Sequence, residues 1–178
     1  MSIWKSYLED IILTFCKQKE FAEKAFRQVS DEAFFTKPGE QSNSIAIVIK
    51  HVGGNLASRW TDFLTSDGEK PWRNRDREFI LGPDDTRANL LALWERGWSA
   101  VTQALGSLQD ADLSKKVKIR GEEHTVFQAI HRSLSHTSYH VGQIVYLSRL
   151  LTKEGWKWIT IPPGQSEQVK ARGGNYLK

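Results

Sequence analysis

The chain has one cysteine, Cys16, among 178 residues, so no internal disulfide can form. It lacks any long apolar run. The longest aliphatic stretch, Ile45 to Ile49, falls far short of the roughly 20 residues that a spanning helix needs. The N-terminus shows no charged region, apolar core and cleavage-site sequence of the secretory kind. These absences lead us to expect a cytoplasmic protein of a reducing compartment, with no membrane partner. Internal repeats and low-complexity segments are missing too. Neither sign of charge dominates: 25 Lys and Arg interleave with 21 Asp and Glu, for a net charge of +4. That balance permits contact with anions. No helix has a one-sided basic face, and no zinc-finger or homeodomain pattern occurs, so nucleic acid is not an expected partner.

What remains is an ordinary folding composition. The apolar fraction is 39%, with seven Trp, which implies a folded chain, and its length suits a single domain over residues 1–178. Apolar residues recur at helical spacing in four long segments, which we place at 2–29, 42–65, 84–105 and 125–153. Ser42, Asn43 or Ser44 can cap the second and Asp84 or Asp85 the third, with Gly106 as its stop. Cys16, in the run IILTFC, is expected to be buried as a small hydrophobe. The pair Gly53-Gly54 inside the second helix costs about 1 kcal/mol per Gly relative to Ala. Either another group approaches closely there or the helix is loose. Residues 66–83 form a long connection, with Trp72, Phe79, Ile80 and Leu81 available to pin it. Its Arg73, Arg75 and Arg77 are either a solvated charge run or an anion-reading loop. Lys116–Ile119 and Glu122–His124, around Arg120-Gly121, can form a small hairpin or an irregular loop. Pro162-Pro163-Gly164 excludes helix from that part of the tail, leaving an irregular C-terminal strap. The expected class is an all-α four-helix bundle with a long helix 2–helix 3 connection.

The last helix carries the chemistry. Thr125 and Gln128 form a capping box at its start. At about 100° per residue, His136 and His140 fall on its apolar stripe, one turn apart. Two imidazoles at i and i+4 can converge on one metal ion; alternatively both are core histidines satisfied by hydrogen bonds. His131 lies on the opposite side of the wheel, and His124 precedes the cap. His51, at the edge of the second helix's stripe, is the remaining histidine near a core face. Three protein ligands with an open position make a catalytic arrangement, whereas structural zinc is closed by four.

KHVGGN, with His51 and Asn55, and SHTSYHVGQIVYL, with His136, His140, Gly142 and Gln143, resemble the two metal-binding segments of the DinB-like four-helix-bundle superfamily. DGEKPWRNRDREF and IPPGQS resemble one bacterial subgroup of it with no settled activity. The resemblance implies an up-down-down-up bundle and a homodimer, with the small-residue ridge Ser135, Ser138 and Gly142 either at that contact or packed inside the bundle. It implies a divalent metal, zinc or nickel, on His51, His136 and His140. It also implies a metal-dependent enzyme of the thiol-transferase or hydrolase type acting with a low-molecular-weight thiol. The alternative is a non-catalytic metal-binding or stress-response module. Many relatives carry Arg directly after the last ligand, where this chain has Val141, so that Arg's role does not carry over. Asn55 and Gln143 are candidates for orienting ligands or substrate, and Arg73 and Arg75 for reading substrate carboxylates. Glu40, Asp62, Asp76 and Tyr139 are the candidate proton-handling groups.

Overall fold

A computed structural model describes residues 3–171. The chain is mostly helical with one two-stranded hairpin, in the order α1 (Ile3–Phe26), α2 (Asp31–Phe35), α3 (Ile45–Trp60), α4 (Arg87–Ser107), β1 (Lys116–Ile119), β2 (Glu122–Thr125), α5 (Val126–Leu151) and α6 (Ser166–Ala171). Among the described residues, no helix is long and apolar enough to cross a membrane. The four long segments expected from periodicity are α1, α3, α4 and α5. Helix α3 packs on α4 and α5, and α1 packs on α5 and α4. Their apolar stripes meet in one core around Phe15, Leu56, Trp94, Ile130 and Ile144, all nearly inaccessible to solvent.

Local chemistry decides where the helices end. The first stops at Phe26, short of Val29, and Ser30 Oγ accepts from Ala33 N (3.2 Å) to start α2. The sequence reading had no place for α2, whose Phe34 is fully buried. Ser44 Oγ caps α3 by accepting from Ile47 N (3.3 Å). That helix ends at Trp60 and not near residue 65, because Thr61 is extended and Asp62 turns left-handed (φ 48°). The Asp62 carbonyl then accepts from Thr65 N and Ser66 N, both at 3.0 Å. Thr86, not Asp84 or Asp85, caps α4 by accepting from Asn89 N (3.2 Å). Asp85 is otherwise engaged, accepting from Lys50 Nζ and from Gly82 N, each at 2.7 Å. Helix α4 also runs through Gly106 to Ser107. Cys16 is exposed, which corrects the expected burial; it follows Phe15, which takes the core-facing position on that turn of α1.

The hairpin forms with Ile119 opposite Glu122. Arg120 (φ 56°) and Gly121 (φ 78°) both take left-handed angles, the requirement of the two-residue turn that matches strand twist. Val126 N and Phe127 N donate to the Lys115 and Leu113 carbonyls (2.9 and 3.1 Å), so the hairpin leads directly into α5. The capping box is present as read: Gln128 N donates to Thr125 Oγ1 (3.1 Å) and Thr125 N to Gln128 Oε1 (2.8 Å). After α5, Trp156 and Ile159 rest against the core, while Trp158 and Ile161 stay exposed. The strap is not irregular throughout, since α6 follows Pro162-Pro163-Gly164.

Half of the Gly53-Gly54 question is answered at the crossing of α3 with α4. A Cβ on Gly97 would sit 2.7 Å from the Gly53 carbonyl oxygen, and one on Gly53 would sit 3.1 Å from the Leu93 backbone. Both neighbours are main chain of packed helices and cannot swing away. Gly106, in contrast, is exposed and a Cβ there would meet nothing within 4 Å. Replacing Gly97 by Ala is therefore expected to destabilise the protein by about 1–3 kcal/mol through overpacking. Gly106→Ala should stabilise it by about 0.5–1 kcal/mol through lower unfolded-chain entropy. Chemical denaturation midpoints of the two variants against the parent chain measure both signs; equal stability of the Gly97 variant would refute the close crossing.

Candidate metal centre

Helix α3 delivers His51 and α5 delivers His136 and His140, one turn apart. The three rings come together, with centroid separations of 5.2 Å (His51–His136), 4.8 Å (His51–His140) and 4.6 Å (His136–His140). One ligand atom from each lies within 4.8 Å of the others. His51 Nε2 and His136 Nε2 are 3.2 Å apart. Tetrahedral zinc–imidazole bonds of 2.0–2.1 Å put neighbouring nitrogens about 3.3 Å apart, so this spacing suits a shared ion. His51 and His140 are buried, at 3% and 8% exposure.

Hydrogen bonds fix two of the rings. Glu78 Oε2 lies 2.8 Å from His51 Nδ1. An ionised carboxylate only accepts, so Nδ1 carries the proton and Nε2 keeps its lone pair for the cluster. His140 Nδ1 donates to Gln143 Oε1 (2.8 Å) in the same way. His136 has no such partner: its Nδ1 is buried without a hydrogen bond. Burial, reinforced by His140, His51, Arg73 and Arg59, pushes His136 down to about 3. Burial also holds His140 below the ordinary imidazole value, against the opposing bond to Gln143. Two of the three rings are thus held neutral around neutral pH, the form in which imidazole binds a metal.

Glu78 was not among the sequence candidates. It sits in a 3₁₀ turn (Asp76–Phe79) of the long connection, with its side chain 8% exposed. Burial alone would raise its carboxyl. The His51 bond and the Arg73 guanidinium outweigh that and hold it below the usual carboxylate value. Arg73 grips it with two bonds, Nε to Oε1 (2.8 Å) and Nη2 to Oε2 (2.9 Å). Gly54 is the other half of the glycine question. A Cβ there would fall 2.5 Å from Glu78 Oε1, so the glycine makes room for the carboxylate. A glycine inside a helix, three residues past His51, was the one signal in the sequence that something approaches there.

The connection is held differently from the way its apolar residues suggested. Trp72 (62% exposed) and Ile80 (58%) do not pin it. Phe79 does, tilted against His51 at 4.7 Å, as does Leu81. The rest is polar. Ser58 Oγ donates to the Gly68 carbonyl (2.8 Å) and accepts from Lys70 N (3.0 Å). The Asp67 carboxylate accepts from Arg120 N (2.8 Å) and Gly121 N (2.7 Å) of the hairpin turn.

Arg73 is neither a solvated charge nor free to read a ligand; its side chain is 2% exposed and committed to Glu78 and Glu69. Arg75 is about half exposed and lies over the Phe79 ring at 5.2 Å. Asn55 (7% exposed) lines a cavity of about 210 Å³ beside His51 and His136. None of the candidate proton-handling groups lines it: Glu40, Asp62 and Asp76 are exposed, and Tyr139 is 65% exposed with its ring 5.0 Å from His140. His131 points away, as its wheel position indicated, and stacks on Tyr7 at 5.6 Å. His124 lies in β2. Val141 is buried in the core (3% exposed), so an Arg there would have to displace packing.

Comparison with known families places this chain: the family described as "Protein of unknown function (DUF1572)" matches residues 2–165, and the chain belongs to it. No curated protein matches the chain.

Glu78 would act on an ion held by the triad through the His51 ring, without being a ligand itself. Glu78→Gln should weaken zinc affinity by about 10–100-fold, the usual cost of losing a carboxylate behind a ligating histidine. Gly54→Ala should act in the same direction by displacing the Glu78 carboxylate, without removing any polar side chain. Competition titration with a chromophoric chelator checks both, and unchanged affinity in both variants would remove Glu78 from the site.

Proposed function

We propose that this DUF1572 member is a DinB-like up-down-down-up four-helix bundle that holds one divalent ion, zinc or nickel, on His51, His136 and His140. We further propose that it works as a metal-dependent enzyme of the thiol-transferase or hydrolase type. The observation that carries the reading is the convergence of three imidazoles with Nδ1–H of two of them tied back to Glu78 and Gln143. Among the described residues the cluster has three members, with no fourth His, Cys, Asp or Glu donor, the ligand count of catalytic rather than structural zinc. A bound ion of this kind is a Lewis acid that lowers the pKa of a thiol or water at its open position.

The residues of the chain have separate tasks in this reading. The three histidines hold the ion and do no proton chemistry, because each ring commits one nitrogen to it. Glu78 and Gln143 fix ring orientation. Asn55 faces the cavity next to His51 and offers an amide for orienting the substrate thiol. Phe79 and the ordered connection shield one side of the site from water. Arg75 is the loop arginine placed to meet a substrate carboxylate, whereas Arg73 serves the site through Glu78. The lone, exposed Cys16 and a thiol substrate both suit a cytoplasmic setting.

One observation favours the non-catalytic metal-binding or stress-response module: among the described residues no carboxylate, Tyr or Cys lines the cavity, and the nearby Glu78 carboxylate is committed to His51 and Arg73. The two readings part in a turnover assay. Protein loaded with zinc or nickel and offered bacillithiol, mycothiol, glutathione or cysteine with an electrophilic acceptor should turn over, and His136→Ala should abolish that while keeping the helical circular-dichroism spectrum. A fully metallated chain without turnover or thiol binding leaves the module standing.

Assembly as a homodimer belongs to the same proposal. Ser135 and Gly142 are exposed on α5, a Cβ on Gly142 would meet nothing within 4 Å, and Tyr139 and Tyr146 flank them at 65% and 68% exposure. Ser138, between them, is half-buried, so the exposed ends of this ridge are what a close helix contact with a second copy would use. Light scattering at micromolar concentration should return twice the chain mass, and Gly142→Trp should return the single mass. A monomer in the parent chain would contradict the dimer.

A further inference from the structure

The cavity next to the triad is unbalanced in charge. Arg59, Arg73, Arg75, Lys118, Arg120 and Arg132 line it, and among the described residues no carboxylate does. Three carboxylates outside the lining partner four of these six cations. Glu69 is shared by Arg59, Arg73 and Arg120, each at 3.2 Å. Glu78 takes Arg73, and Asp76 takes Arg75 at 3.5 Å. Lys118 and Arg132 have no ion pair among the described residues. With Asp67, whose carboxylate sits on Arg120 N and acts on Arg59, six cations meet four carboxylates, an excess of two positive charges around one small cavity.

Arg59 and Arg73 are set into the wall, and the other four cations are exposed around it. Arg59 lies on α3 with its side chain 11% exposed, and its Nη1 is buried without a hydrogen-bond partner. Burial, only partly offset by Glu69 and worsened by Arg73, Arg120 and Arg132, pushes its guanidinium down to about 10. Lys118 and Arg120 come from the hairpin, which Asp67 locks onto the long connection through Arg120 N and Gly121 N (2.8 and 2.7 Å). Arg132 stands one turn before His136 on α5. Trp60, Phe63 and Ile119 supply an apolar side to the same cavity. The carboxylates relieve part of the repulsion among these cations and a bound anion would relieve more; planar guanidinium forks suit phosphate and carboxylate oxygens.

We propose that this cavity is the binding site for a dianionic group, a phosphomonoester or a dicarboxylate, on a small molecule whose other end reaches the histidine triad. A doubly charged group fits the charge excess better than a single carboxylate, and the volume of about 210 Å³ holds such a group with a few further atoms. The role of the ligand's far end rests on the enzymatic reading of the triad; capture of the dianion does not. The substrate class follows from residues on three elements, α3, the hairpin and α5, and not from the loop arginines alone.

The test is isothermal titration of the full chain with inorganic phosphate and with malonate, each against chloride at matched ionic strength. Saturable binding of at least one dianion, with none for chloride, is expected, and the one preferred names the group. Lys118→Ala combined with Arg132→Ala should weaken it by about tenfold or more, since both side chains are exposed and each offers a charge-assisted bond; Lys37→Ala, far from the cavity, should leave it unchanged. His140→Ala should retain dianion binding, and its loss there would mean that the anion sits on the metal and would overturn the proposal. So would equal binding of dianions and chloride, or unchanged affinity in the double variant. Dianion binding with no turnover of any thiol removes the enzyme and keeps this site; turnover of uncharged thiols with no dianion binding does the reverse.

Discussion

A carboxylate sealed between a histidine and an arginine sets the terms for everything around it. Removing an ion from water costs several kcal/mol even after the protein relaxes. Glu78 is tolerable only because both oxygens are bonded, to the Arg73 fork and to His51 Nδ1. Those bonds impose conditions elsewhere. The connection between α3 and α4 must be ordered, since it carries both Glu78 and Arg73. Position 54 must lack a side chain, since any Cβ would strike the carboxylate. The His51 ring must present Nε2 to the other two histidines. One polar contact thus links loop order, a costly mid-helix glycine and the tautomer of a candidate ligand.

The second constraint is the burial of the imidazoles themselves. Helix geometry places His136 and His140 on one face without further help, but it places them in a core where a charged ring is unfavourable. Crowding the three rings together adds to the penalty, and neutrality follows for His136 and His140. His136 Nδ1 is left without a partner, a residual cost that packing alone does not explain. A cluster that is neutral, preorganised and short of one hydrogen bond is better suited to taking up a cation than to stabilising the bare fold.

Much of the frame was legible because it rests on local rules. The capping box of Thr125 and Gln128, the left-handed Arg120-Gly121 turn and the apolar stripes of α3 and α5 each depend on residues close in sequence. The histidine cluster was legible because an i, i+4 pair on an apolar stripe narrows the search for a third ring to His51. What escaped depends on contacts distant in sequence. Asp85 was unavailable as a cap because Lys50, 35 residues away, had claimed it; the early end of α3 at the left-handed Asp62 is a local exception. Of Trp72, Phe79, Ile80 and Leu81, only Phe79 and Leu81 pin the connection; Asp67, Ser58 and Glu78 do the rest through partners on α3 and the hairpin. Glu78 looked like one acid in a charged run, and Arg59, Lys118 and Arg132 like scattered surface cations. Only the fold shows that they surround one space.

Fold and site together describe a member of the DUF1572 family in which α3 and α5 set three imidazoles and the long connection locks them. The proposed metal shell takes His51, His136 and His140 from the protein and leaves one position open. X-ray absorption spectroscopy of the zinc-loaded chain should find three imidazole nitrogens at about 2.0–2.1 Å with one further light atom from solvent or buffer. A shell containing sulfur from Cys16, one dominated by carboxylate oxygens, or one with fewer than three imidazoles would contradict it.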